Sequence, residues 1–218
     1  MRFFSTGNRF WQLIFLITDI VLLGLLWLVL SLTVVGFGPA STALYYSIAK
    51  SIRRKRGRPF HEFFHALKQN WRNAMFAGLI VFVLMIGIMI LDYDTLVVPL
   101  LNRTDVDGSK MFWAFFRLVA LLTASMHIFP VLSRFQLPFH KAWVLSFMLT
   151  LRHLSKTLVM SLAFVVLYVV TIFFPALPFF VPGFFTFFQS FQEERILKQY
   201  ILDAGIDISG EKDPWYME

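Results

Sequence analysis

From Phe10 to about Thr33 the chain is apolar almost without relief, with Gln12, Thr18, Asp19 and Ser31 as its polar members before the end. A helix needs about 20 mainly apolar residues to cross a bilayer, and a segment like this has nowhere else to go. It is too long for a secretory signal, and no small-residue cleavage site follows, so it is expected to stay in the chain. Ala74–Leu91, Met111–Leu132 and a shorter Leu158–Phe174 repeat the pattern. The composition agrees: 58% of residues are hydrophobic and 15% charged, with 27 Phe, and the mean hydropathy is +0.68. A water-soluble globule would expose far too much apolar surface, and a disordered chain lacks such side chains.

Two further apolar stretches are short and broken. Val35–Ala49 carries Gly36, Gly38 and Pro39; Phe179–Phe191 follows Pro175 and Pro178 and contains Pro182 and Gly183. The expected architecture is an all-α membrane bundle of about six segments, four clear spans and these two. One or two interfacial helices join them, over Phe60–Trp71 and residues 139–154. In the first, Phe60, Phe63, Phe64, Leu67 and Trp71 recur at helical spacing. Residues 1–201 read as one membrane domain and 202–218 as a polar tail.

Loop charge sets the expected orientation. Residues 50–72 hold eight Lys or Arg against Glu62, and 133–156 hold Arg134, Lys141, Arg152 and Lys156 without an acid. Residues 92–110 carry Asp92, Asp94, Asp105 and Asp107 against Arg103 and Lys110. The positive-inside bias puts the two basic loops in the cytoplasm and 92–110 outside. Six segments then place both termini in the cytoplasm, which suits the Arg2 and Arg9 that precede the first span.

The chain has no Cys, which excludes disulfides, thiolate nucleophiles and cysteine metal sites. Its net charge of +7 is explained by membrane loops before nucleic acid need be invoked. The string His61-Glu62-Phe63-Phe64-His65 is a literal H-E-x-x-H, the spacing that lets two His on one helical turn grip zinc while the Glu acts as base. A basic loop beside it opposes a second cation, and no third ligand is evident, so the expectation is no metal, no cofactor and no enzyme. No phosphate-binding glycine loop, nucleophile elbow or paired carboxylates accompany it.

Lys50, Arg53, Arg54, Lys55, Arg56 and Arg58 form a run expected to meet anionic lipid headgroups or a partner. Asp19, Arg117 and His127 are the polar groups best placed inside the membrane, and an Asp19–Arg117 pair is a structural alternative to a relay. His127 reads as a satisfied bundle residue. Phe184, Phe185, Phe187 and Phe188 lie in an aromatic segment that needs an apolar neighbour on every side. They are the expected partner interface.

The element Gly36-Phe37-Gly38-Pro39-Ala40-Ser41-Thr42-Ala43-Leu44-Tyr45, the basic run Arg53–Arg58, and Phe60-x-x-Phe63-Phe64-x-x-x-Lys68-x-Asn70 together resemble the YesL-like family of small membrane proteins of Gram-positive bacteria. Residues 36–75 carry the specific part of the resemblance. It implies an accessory subunit in the cell membrane, partnered with the permease of a carbohydrate ABC importer and in reach of its ATPase. An independent small-solute transporter or channel is the alternative, and a zinc protease on the H-E-x-x-H string a third. The GFGPA element is expected to break the chain near residues 34–39 and open a short helix over Pro39–Ile52.

The orientation is testable in a chain without native Cys. A Cys at Ser109 should react with an impermeant maleimide on intact cells, and one at Arg58 only after permeabilisation. The reverse pattern would overturn it.

Overall fold

The computed structural model describes residues 9–96, 98, 107–135, 137–174 and 177–203, and all elements among them are helical. Arg2, Arg103, Asp105, Pro175 and residues 204–218 of the polar tail lie outside the described residues. Helix α1 is Arg9–Ser31, α2 Phe37–Ser47, α3 Pro59–Gln69 and α4 Trp71–Leu91. They are followed by α5 Gly108–Ser125, α6 Ile128–Arg134, α7 Phe139–Arg152, α8 Leu154–Phe173 and α9 Val181–Asp203. Among the described residues, four helical stretches are long and apolar enough to cross a membrane: Phe10–Ser31, Trp71–Leu91, Gly108–Arg134 across α5 and α6, and Leu154–Thr171. These correspond to the four clear spans of the sequence.

The remaining segments differ from their expected form. The break after the first span falls at residues 32–36, and α2 continues beyond Ser47 as a π-helix over Ile48–Arg53. Lys55 and Gly57 then take positive φ, 56° and 79°, and turn the chain into α3. Only Gly57 among the described glycines needs that conformation. Gly36 and Gly38 have no positive φ; they are required by space. Gly38 lies against Gly78 of α4, where a Cβ added to Gly78 would sit 2.5 Å from the Gly38 Cα and 2.5 Å from its amide nitrogen. Two helices can approach this closely only where both lack side chains.

That crossing makes α2 the central element. Its Ala43, Leu44 and Ile48, with Ile52, pack on Ile20 and Leu23 of α1 and on Phe63 and Ala66 of α3. Beside it, Ala74 and Ala77 of α4 form a second cluster with Ile128, Val131 and Leu132 of α6, Ala142, Leu145 and Leu149 of α7, and Ile196 and Leu197 of α9. Trp27 donates to the Ser41 hydroxyl at 2.9 Å and meets Phe37 edge-on, which in turn meets Phe129. Two asparagine amides stitch the basic loops together: Asn70 Nδ2 donates to the Leu132 carbonyl at 2.8 Å and Asn73 Nδ2 to that of Leu137 at 3.1 Å.

The aromatic segment also differs. It does not stop at Phe191 but runs unbroken to Asp203, preceded by a 3₁₀ turn over Leu177–Phe179. Both expected interfacial helices form, yet neither lies simply on a surface. Phe63 of α3 is fully buried while Phe60 and Phe64 face out. Helix α7 turns Val144, Phe147, Met148 and Leu151 outward and still buries Leu145 and Leu149.

The α2–α4 crossing gives a prediction with an internal control. Gly78→Val should lower the melting temperature of the purified protein sharply, because backbone cannot yield to the new methyls. Gly87→Val on the same helix meets nothing within 4 Å and should melt as wild type.

Candidate functional site

Glu193 and Glu194 occupy successive positions on α9, about 100° apart around a helix of 3.6 residues per turn, so each reaches a different neighbour. Both are buried, Glu193 at 0% and Glu194 at 3% exposure. A buried carboxylate persists only with partners, and here each has a set.

Glu194 faces α2 and α6. Tyr45 donates its hydroxyl to Glu194 Oε1 at 2.8 Å, and Arg134 Nη2 bonds the same oxygen. Arg134 was counted in the sequence as a loop cation; its side chain is 2% exposed, and its guanidinium carbon lies 6.0 Å from the Tyr45 ring. One turn earlier, Arg53 donates to the Ser190 carbonyl at 2.5 Å and covers the Phe191 ring at 4.9 Å.

Glu193 faces the junction of α5 and α6. Its Oε2 lies 2.8 Å from His127 Nδ1, and His127 Nε2 lies 2.8 Å from the Thr157 hydroxyl of α8. All three residues are at 0% exposure. Gln189 bridges from Glu193 Oε1 at 3.4 Å to the Met126 carbonyl at 3.0 Å. Hydroxyls extend the chain along α8: Ser161 bonds the Thr157 carbonyl at 2.9 Å and lies 3.1 Å from Thr123 of α5.

Carboxylate, imidazole and hydroxyl in line are the parts of a hydroxyl nucleophile with its base. Thr157 is closed off from any substrate carbonyl, and its hydroxyl also bonds the His153 carbonyl at 3.1 Å. In this conformation the Thr157 hydroxyl is taken up by hydrogen bonds within the bundle. His153 is half-buried at the α7–α8 corner, one turn before Thr157. Burial, then Lys156 and Arg152, pull its imidazole below the ordinary range.

The other expected sites resolve as follows. Gly38, Pro39 and Ala40 are buried in the α2 core, and Gly36 precedes α2 as its N-cap. His61 and His65 are exposed and stack at 6.5 Å, while Glu62 is buried and turned to Lys50 at 3.0 Å. No group of three or more metal-capable side chains comes together among the described residues. Burial works against the Lys50 charge, but its bonds to Glu62 and Tyr46 prevail and raise it above the ordinary range. Of the basic run, Lys50 and Arg53 are thus occupied within the fold, whereas Lys55 and Arg58 are exposed and Arg54 and Arg56 half-exposed.

Arg117 does not pair with Asp19. Its Nε donates to Asp92 Oδ2 at 2.9 Å and its Nη2 to Oδ1, at the opposite end of the bundle. Asp92 closes α4 and is buried, so Arg117 reaches outward to it along α5, as a long cation near a span's end does. Within the aromatic segment, Phe184 and Phe187 pack on the α1–α2 core and Phe185 meets Phe164 edge-on. Phe188 is exposed, together with Phe173, Phe174, Phe179, Phe180 and Phe191.

Tyr45, Arg134, Thr157, Glu193 and Glu194 were not singled out from the sequence. A signal existed. The buried residues of α9 are Gly183, Thr186, Ser190, Glu193, Glu194, Ile196, Leu197 and Ile201; Gly183, Thr186, Ser190, Glu193 and Leu197 recur at steps of three and four, and Glu194 and Ile201 continue the face beside them.

Residues 20–93, from α1 through the end of α4, match the model of a family described as "Protein of unknown function, DUF624". No curated protein and no solved structure matches the chain.

Removing one partner of a buried pair strands the other. Glu194→Ala should cost about 3–5 kcal/mol of stability by leaving Arg134 inside without its carboxylate. Replacing both, as Arg134→Met with Glu194→Leu, should recover most of that loss, measured by thermal unfolding in detergent.

Proposed function

We propose that this protein is an accessory subunit of a carbohydrate ABC importer in the cell membrane, binding or regulating the permease rather than performing chemistry. The resemblance to the YesL-like family suggests the importer. The family match over residues 20–93 falls on the same α2–α3 region, which favours common ancestry without naming a role.

The observation that carries the docking half of the proposal is the outward aromatic surface at the α8–α9 hairpin. Phe173 and Phe174 at the end of α8, Phe179 and Phe180 at the 3₁₀ turn, and Phe188 on α9 all face away from the bundle. Lipid is as apolar as these rings, so association must rest on shape and on satisfied backbone rather than on hydrophobicity. Flat side chains beside a Pro- and Gly-rich turn suit such a surface. The ionic core fixes the rotation of α9 that turns Phe188 out, since Ser190, Glu193 and Glu194 are drawn inward. The exposed cations Lys55 and Arg58 suit anionic lipid or the ATPase on the cytoplasmic side.

The test is capture from native membranes. A photo-crosslinking residue at Phe188 should join the protein to a permease subunit, with the ATPase in stoichiometric yield. Replacing Phe188, Phe179 and Phe180 by Leu should keep insertion but reduce co-purification and sugar uptake. If wild-type protein captures no permease even after cross-linking, the importer reading fails and an independent transporter becomes the leading one.

A further inference from the structure

We propose that His127 and Glu193 form a proton-binding site, with Thr157 as its third member, that ties α9 to α8 and to the α5–α6 junction. The ligand is a proton from the basic end of the bundle, and the inference does not depend on the importer reading.

The argument is one of donors and acceptors. A neutral imidazole has one N–H and one bare nitrogen, and an imidazolium has two N–H groups. Thr157 has a single hydroxyl hydrogen, and its oxygen stands 3.1 Å from the His153 carbonyl and 2.8 Å from His127 Nε2. While that hydrogen points at the carbonyl, the hydroxyl oxygen must accept from Nε2–H. The 2.8 Å contact between Nδ1 and Glu193 Oε2 then needs a proton of its own, on the ring or on the carboxyl. In this arrangement the pair has bound one proton and is neutral overall.

Release has a defined consequence. With the shared proton gone, the remaining ring N–H is held at Nδ1 by the Glu193 carboxylate. Nε2 becomes an acceptor, and Thr157 must turn its hydroxyl from the His153 carbonyl to the ring. That carbonyl still accepts the amides of Lys156 at 3.0 Å and Thr157 at 3.1 Å, so the turn leaves no orphan in α8. Both states are therefore satisfied, and they differ by one proton and one hydroxyl rotation. A structural hydrogen bond with a single satisfied state lacks this property.

The surroundings keep the pair apart from other charges. Tyr45 and Arg134 are engaged by Glu194 on the neighbouring face of α9, with Arg53 beyond them. On the α7–α8 side the charged or titratable groups are Arg152 and Lys156, both exposed, with Arg152 paired to Asp203 at 2.8 Å, and His153. His153 is the half-buried one, and its backbone carbonyl is the group that Thr157 bonds.

The test uses the full chain in lipid nanodiscs with ¹⁵N-labelled histidine, followed by NMR from about pH 5 to about pH 8, the range in which histidine charge can change. The His127 ring signals are identified by their loss in His127→Asn. They should move with pH in the wild type. Glu193→Gln supplies from its amide the N–H that the shared proton otherwise provides, and should leave His127 without a titration in that range. Thr157→Val keeps the carboxylate and should keep the titration, separating loss of the proton from loss of packing. Wild-type His127 signals that do not move with pH would overturn the proposal, whatever the variants do. So would a titration that survives unchanged in Glu193→Gln. If that variant does not fold, the wild-type titration and its retention in Thr157→Val still decide.

Discussion

Two adjacent carboxylates on one helix cannot be buried by one neighbour. Glu193 and Glu194 point about 100° apart, so sheltering both calls on α2, α6, α8 and the α5–α6 junction at once. Each of those elements contributes a specific polar group: Tyr45, Arg134, Thr157 and His127. The bundle around α9 is therefore specified more tightly than apolar packing alone could achieve, since Leu and Phe faces tolerate rotation and charges in a dry interior do not. The same demand explains why α9 stays helical past its aromatic half, as its second half is where its partners are.

Against that ionic centre, α2 provides the steric one. It is hardly longer than a few turns, yet α1, α3, α4, α6 and α9 all touch it. Contact with α4 depends on a glycine from each helix, and contact with α9 passes through the Tyr45 hydroxyl. Small residues permit the approach, and a hydrogen bond then sets its register. Both devices suit a bilayer, where apolar surface gains little by leaving lipid.

Hydropathy and loop charge made the spans legible because length and polarity are local properties. A break near the Gly- and Pro-bearing element was legible too, although the structure shows Gly36 and Gly38 required by close packing rather than by backbone freedom. Pairing was not. Arg117 has Asp92 for a partner rather than Asp19, and no count of distance along a helix ranks two carboxylates on different helices. Arg134 read as a loop cation because charge counting treats all cations near a span as solvated. Glu193 was overlooked because the aromatic run before it ended the apolar stretch, although the spacing of buried positions on α9 continues through it. Tertiary partners make such a residue tolerable, and composition does not contain them.

The two asparagine amides at the α3–α4 corner have a mechanical side. Asn70 and Asn73 hold carbonyls on either side of the α6–α7 connection, Leu132 and Leu137. Amide-to-carbonyl bonds resist sliding in a way that oily contacts do not, because a slip of one residue breaks them outright. The corner and the connection thus behave as a single plate fastened across the ends of α4 and α6. A load applied to α3 from outside, whether by a lipid surface or a bound protein, would be felt by both of those helices together. It would tilt them as a pair instead of prising them apart.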